Sequence, residues 1–195
     1  MQTNIIWTGK LHHSSENCVL TNTSAGNDIT STIAGENDNR IFKIDYHIIV
    51  NENWETTFAS IRTKFDSLVE FIKLEKRDGK YLLNGEYNAK FDNISDIDIS
   101  ATPFTNTLPI NRLQLKVKER QVIEVIYFDI FEKEIRTVKQ IYTRLTGVQY
   151  VYENFDGSFK ANLVVDEQGL VVEYPELFEM VSKRQSNYSE HEYLQ

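Results

Sequence analysis

The chain has 195 residues, of which 41% are hydrophobic and 26% charged, with 29 acidic against 21 basic side chains and a formal net charge of −8. One domain of this size buries about 70% of the surface its unfolded chain exposes, so a core forms without disulfide or metal staples. The acidic balance excludes nucleic acid as a partner, because that needs clustered Lys and Arg to displace counterions, and it excludes docking on an anionic membrane by charge alone.

The first ten residues carry neither a basic region nor an apolar run of signal-peptide length. No stretch approaches the ~18 consecutive apolar residues of a membrane span. The chain therefore reads as cytoplasmic and soluble, with no transmembrane segment. The single Cys18 forbids an intrachain disulfide. Residues 14–39 are polar and rich in Ser, Thr, Asn and Gly. They read as short edge strands with mobile connections.

From residue 41 a period of two takes over. Phe42, Ile44, Tyr46, Ile48 and Val50 fall on one side of a strand, and Lys43, Asp45 and His47 on the other. Ala59, Ile61 and Phe65 alternate with Ser60, Arg62 and Lys64. Asp78-Gly79 then joins two short apolar runs, and such a pair between strands signals a tight hairpin, because Gly accepts the positive φ that a primed turn requires. Residues 121–131 are apolar on both faces and predict a strand covered on both sides. Asp156-Gly157 and Gln168-Gly169 bracket a further alternation through Phe159, Ala161, Leu163 and Val165. Pro175 with Leu177, Phe178 and Val181 predicts a C-terminal helix of two or three turns. Residues 185–195 read as a polar tail after a single domain over residues 1–184.

These elements predict an all-β protein, an antiparallel curled sheet or open barrel. Its two halves carry a weak likeness, Asp78-Gly79-Lys80-Tyr81 against Asp156-Gly157-Ser158-Phe159. That likeness leaves an internal repeat and its absence both open.

One segment is not generic. Residues 96–113 hold two of the three prolines in the chain. Asp96, Asp98 and Ser100 alternate with Ile97 and Ile99. Pro103 breaks the strand and holds Thr102 extended. Thr107 reads as a cap of a short helix, with Pro109 in its first turn and Ile110 and Leu113 facing the core. The loop offers hydroxyls and an amide at fixed positions, and Arg112 can fork onto a carboxylate or phosphate. Two readings are open: Asp98 and Arg112 pair with each other, or Asp96, Asp98, Thr102, Asn106 and Arg112 form a polar rim for a ligand.

The run from Asp96 to Leu113, with its Thr105-Asn106-Thr107-Leu108-Pro109-Ile110 core, resembles the signature of the bacterial putative glycolipid-binding family, a domain of unknown function. Trp7, Tyr46 followed by Trp54, residues 141–145 and residues 169–175 extend the likeness over nearly the whole chain. Asn111 stands where that family usually has a basic residue. The resemblance implies an open barrel similar in plan to the lipoprotein-localisation carriers, which hold acyl chains. It also implies non-catalytic binding of a lipid-like or glycolipid-like amphipathic molecule. Trp7, Tyr46, Trp54, Tyr127 and Phe128 are candidates for the apolar wall, or else fill a solid core.

An enzyme without a cofactor, of isomerase or cyclase type, is one alternative, with Asp96 and Asp98 about 7 Å apart on one strand face as its acid and base. A protein-interaction module or homodimer through an edge strand is another. The sequence carries no nucleophile elbow, phosphate loop or metal-ligand spacing, so neither cofactor nor metal is expected. His12-His13 on a strand would point to opposite faces.

Overall fold

The structure is a computed structural model, and residues 1–187 are described. Among them run β1 (Gln2–Gly9), β2 (Ser14–Thr23), β3 (Gly26–Asn37), β4 (Arg40–Val50), β5 (Thr56–Phe65), β6 (Leu68–Arg77), β7 (Lys80–Leu83) and β8 (Glu86–Tyr87). After a single 3-10 turn follow β9 (Asp96–Ile99), a second 3-10 turn (Phe104–Asn106) and α1 (Thr107–Leu113). The chain continues through β10 (Arg120–Asp129), β11 (Glu134–Arg144), β12 (Gln149–Asn154), β13 (Lys160–Val165), β14 (Val171–Tyr174) and β15 (Phe178–Ser186). The expected all-β class and curled, unclosed sheet are what the structure shows.

All fifteen strands lie in one sheet, in the order β8 to β1 followed by β15 to β9. Each half is a meander, and β1 joins them by pairing antiparallel with β15, with an irregularity between Ile6 and Trp7. Every pairing is antiparallel except that of β9 with β10. The two free edges, β8 and β9, are neighbours in the chain, which is how the sheet comes to curl back on itself without closing. No helix among the described residues is long and apolar enough to cross a membrane.

The period-two reading of residues 41–50 holds: Phe42, Ile44, Tyr46, Ile48 and Val50 are buried. The Asp78-Gly79 hairpin has φ of 50° and 78°, the two positive angles of a type I′ turn. Two expectations fail. Residues 14–39 are not short edge strands but the long interior strands β2 and β3, with Ser14, Glu16, Cys18 and Leu20 inward on one and Asn27, Ile29, Ser31 and Ile33 inward on the other. The predicted C-terminal helix is strand β15, preceded by a turn holding Pro175 and Glu176, the latter at φ 65°. Phe178 and Met180 point inward there while Val181 is exposed, so the period is two, not 3.6. The strand runs to Ser186, and residues 188–195 of the expected tail lie outside the described residues.

The core forms two apolar clusters. One gathers β1–β7 with Ile97, Ile99, Phe104 and Leu108. The other gathers β10–β15 with Ile110 and Leu115. Residues 96–113 thus serve both, as a plug inside the curl. Trp7 sits against it, fully buried, its ring edge-on to Phe104 at 6.5 Å and its indole N–H donating to the Val171 carbonyl at 2.6 Å.

A buried carboxyl fastens the plug to the first half. Glu16 is 2% exposed, and its Oε1 accepts from Tyr46 Oη at 2.6 Å, Ser31 Oγ at 2.8 Å and Thr102 Oγ1 at 2.9 Å. Its Oε2 is buried with no partner among the described residues. Burial raises its pKa from the ordinary 4.5 to about 7, against the three hydroxyls that favour the anion.

Gly26, at φ 131°, faces the Val50 carbonyl oxygen, which a Cβ would approach to 2.1 Å. Gly26→Ala is expected to cost more than about 2 kcal/mol in urea unfolding, whereas Gly147→Ala stays within about 0.5 kcal/mol, since a Cβ at Gly147 meets nothing within 4 Å. Glu16 gives a pH signature. The folded state holds a proton that the unfolded chain releases above pH 4.5, so this stability is complete below 4.5 and is lost as pH rises through about 7. The loss amounts to about 3 kcal/mol. Glu16→Gln should remove most of that slope when wild type and variant are unfolded side by side at pH 5 and pH 8. Parallel slopes would contradict the buried-acid account.

Candidate functional site

A cavity of about 720 Å³ opens between the plug, strands β10–β12, and the β1–β2, β12–β13 and β14–β15 turns. Its floor is made of buried residues, Thr102, Asn106, Gln140, Tyr152, Tyr174 and Phe178, together with the partly buried Asp98. Its rim is exposed and mixes Leu11 and Phe155 with charged side chains.

The local sequence explains the floor. The alternation of β9 turns Ile97 and Ile99 into the first core cluster and Asp98 toward the cavity. β9 ends at Ile99, whose carbonyl accepts from the Thr102 N–H across a turn, and beyond Pro103 the chain passes from a 3-10 turn directly into α1, whose preceding residue Asn106 makes no side-chain cap. The expected cap by Thr107 is absent, since its hydroxyl is buried without a partner. Asn106 is therefore free to face the cavity, its Oδ1 accepting from Tyr142 Oη at 2.8 Å. α1 stops at Gln114, which adopts the left-handed conformation at φ 45° and donates its N–H to the Ile110 carbonyl.

The two aspartates have different partners. Asp96, fully buried, takes a fork from Arg112: Nε lies 3.0 Å from both carboxylate oxygens and Nη2 2.5 Å from Oδ2. The Asp98–Arg112 pair expected from sequence is thus an Asp96–Arg112 pair, because α1 brings the guanidinium over the start of β9 rather than its middle. Asp98 instead accepts from Thr105 Oγ1 at 2.8 Å and Gln140 Nε2 at 2.6 Å. Burial pushes the pKa of both aspartates up, and Arg112 offsets this at Asp96 while the two neutral donors and the Ile99 N–H offset it at Asp98. Burial, and after it the negative charge of Asp98, push the phenols of Tyr152 and Tyr174 up, which keeps both as neutral hydroxyls.

Of the sequence-derived candidates, Asp98, Thr102 and Asn106 line the cavity. Asp96, Arg112, Tyr46 and Trp54 are not among its lining residues. Tyr46 binds Glu16 and borders a separate hollow of about 640 Å³ with Asn17, His47 and Arg62. Trp54 is held at φ 63° in the β4–β5 turn, where Asn51 accepts from the backbone of Asn53 and Glu55, and it packs on the first core cluster. Among the wall candidates Tyr127 lines the cavity, while Trp7 and Phe128 belong to the core. Asn111 faces away and donates its Nδ2 to the Gln168 carbonyl at 2.9 Å. It docks on the Gln168-Gly169 turn, where a Cβ at Gly169 would meet its Oδ1 at 2.8 Å.

Sequence reasoning missed Gln140, Tyr152, Phe159 and Tyr174. They come from three strands and one turn far from residues 96–113, and register alone brings them there: Tyr142 stands opposite Tyr152, and Tyr152 opposite Ala161. The available signal was the alternating pair Tyr150 and Tyr152, with Tyr174 further on. Among the described residues no group of three or more His, Cys, Asp or Glu side chains is placed to hold a metal ion.

Comparisons with known proteins agree with this architecture. The profile of the family described as "Putative glycolipid-binding" matches residues 4–180. The crystal structure of a DUF1089 family protein from Pseudomonas aeruginosa is similar, with 35% sequence identity and a TM-score of 0.75. That likeness covers 84% of this chain and 91% of the other. No curated protein matches. With the match spanning the sheet, the plug and the cavity walls alike, this chain belongs to the putative glycolipid-binding family.

Proposed function

We propose that the cavity binds a lipid-like or glycolipid-like amphipathic small molecule and does not transform it. The observation that carries this reading is the cavity itself. It holds about 720 Å³, has a buried floor of polar and phenolic groups, and has apolar side chains at its mouth. That volume falls within the range of small-molecule sites. The family description supports the ligand class.

Asp98, Thr102 and Asn106 meet the polar end of the ligand in this reading, joined by Gln140 and Tyr174. Leu11, Phe131, Phe155 and Phe159 hold its apolar part. Asp96 and Arg112 act indirectly, by fixing α1 on β9. Each buried methylene supplies about 0.8 kcal/mol, so ~8 of them supply some 6 kcal/mol before ordering costs.

A series of alkyl glucosides with lengthening chains tests the proposal by calorimetry. Affinity should rise about fourfold per methylene until the cavity is full. Phe155→Asp at the exposed rim should flatten that rise, and Asn106→Ala should lower every affinity while leaving the rise intact. Affinities independent of chain length, or a Phe155→Asp variant that binds as wild type does, would overturn the reading.

A further inference from the structure

The cavity is electrically one-sided. Its charged lining residues are Asp98, Asp129, Glu132 and Asp156 against Arg136 and Lys139, four acids to two bases. Both bases are exposed and already engaged. Arg136 binds Glu134 at 2.7 Å and stacks 4.9 Å from the Tyr127 ring, and Lys139 stands 5.7 Å over the Phe155 ring. Asp98 is the charge nearest the floor, and both its carboxylate oxygens are held by neutral donors. The contrast with Asp96, two residues away and neutralised by Arg112, is sharp. A carboxylate held in a poorly solvated cavity without a cation favours an arriving positive charge.

The surrounding wall has matching chemistry. Tyr152, Phe159, Tyr174 and Phe178 form a continuous aromatic surface, with neighbouring ring centroids 6.0 to 6.3 Å apart. Ring faces attract cations through their quadrupole, and cages of such rings select ammonium groups. The Tyr174 side chain, 6% exposed, lines the cavity, and its hydroxyl makes no hydrogen bond among the described residues. That hydroxyl opens onto the cavity and is free to bond a ligand.

We propose that the inner end of the bound amphiphile carries a positive charge, a protonated or quaternary amine seated between Asp98 and the Tyr152–Tyr174 wall, and that phosphate, sulfate and carboxylate heads are rejected. The proposal rests on the reading of the cavity as an amphiphile site and adds the charge of the head to it.

Three probes with the same eight-carbon chain separate the possibilities by calorimetry: octyltrimethylammonium, octyl glucoside and octyl sulfate. The ammonium should bind at least about tenfold tighter than the sulfate, because a like charge against Asp98 is penalised. Asp98→Asn, which keeps an acceptor for Thr105, should collapse that ratio to near unity. Tyr174→Leu, a check in case the first variant misfolds, should weaken the ammonium roughly fivefold and lower the ammonium-to-sulfate ratio. Preference for octyl glucoside over octyltrimethylammonium would overturn the charge assignment while leaving the amphiphile site standing. Equal or tighter binding of octyl sulfate, or a ratio that survives Asp98→Asn, would do the same. Failure of all three probes to bind would overturn both readings.

Discussion

A single sheet of fifteen strands has one apolar face too large to leave in water, and a sheet that does not close on itself must wrap around something else. Residues 96–113 are that something. The segment is held at three separated points: Arg112 forks onto Asp96, Thr102 donates to Glu16 on β2, and Asn111 donates to the turn between β13 and β14. Together they tie the plug to itself, to the first half of the sheet and to the second. The Arg112–Asp96 pair matters most in energetic terms. Removing one partner of a buried ion pair strands an unpaired charge and typically costs 3–5 kcal/mol, about a third of a domain's whole stability.

The cavity follows from the plug being smaller than the space it fills. On the side of β1–β7 the packing is complete, with Trp7, Phe42, Ile44 and Phe104 essentially without exposure. On the side of β10–β15 the plug contributes only Ile110 and the partly buried Leu113 to the second cluster, and the gap beside them is the cavity. Polar groups persist there because each is satisfied on one side by the protein, Asp98 by Thr105 and Gln140, Asn106 by Tyr142. Both side chains also line the cavity. A floor of this kind orients a ligand without needing to move, and apart from Thr102 the fold holds it on strands and on the 3-10 turn that leads into α1.

The sequence made the strands readable wherever one face was apolar and the other polar, as in β4, and made the hairpins readable wherever Asp preceded Gly. It misled where those signals were diluted. β2 and β3 place Ser, Asn and Glu side chains in inward positions, so their alternation looks like loop composition. Residues 175–181 offer both periods at once: Leu177, Phe178 and Val181 suit a helix, while Phe178 and Met180 suit a strand. Pairing with β1 across eight residues of β15 decides for the strand. The plug was legible as strand, rigid loop and short helix, since Pro103 and Pro109 have local consequences. Which aspartate Arg112 would take was not, because Asp96 and Asp98 share a face and only the placement of α1 separates them. The aromatic wall was least legible, being assembled by strand register from residues at 152–178, well beyond the plug in the chain.

Native mass spectrometry of the gently purified full chain, followed by solvent extraction of whatever it carries, tests the amphiphile site most directly. The expected result is a discrete added mass on the 22.8 kDa chain, extracting as an amphiphile, and its reduction when Phe155→Asp removes apolar contact at the rim. A clean unliganded mass that also fails to take up any added alkyl glucoside would contradict it.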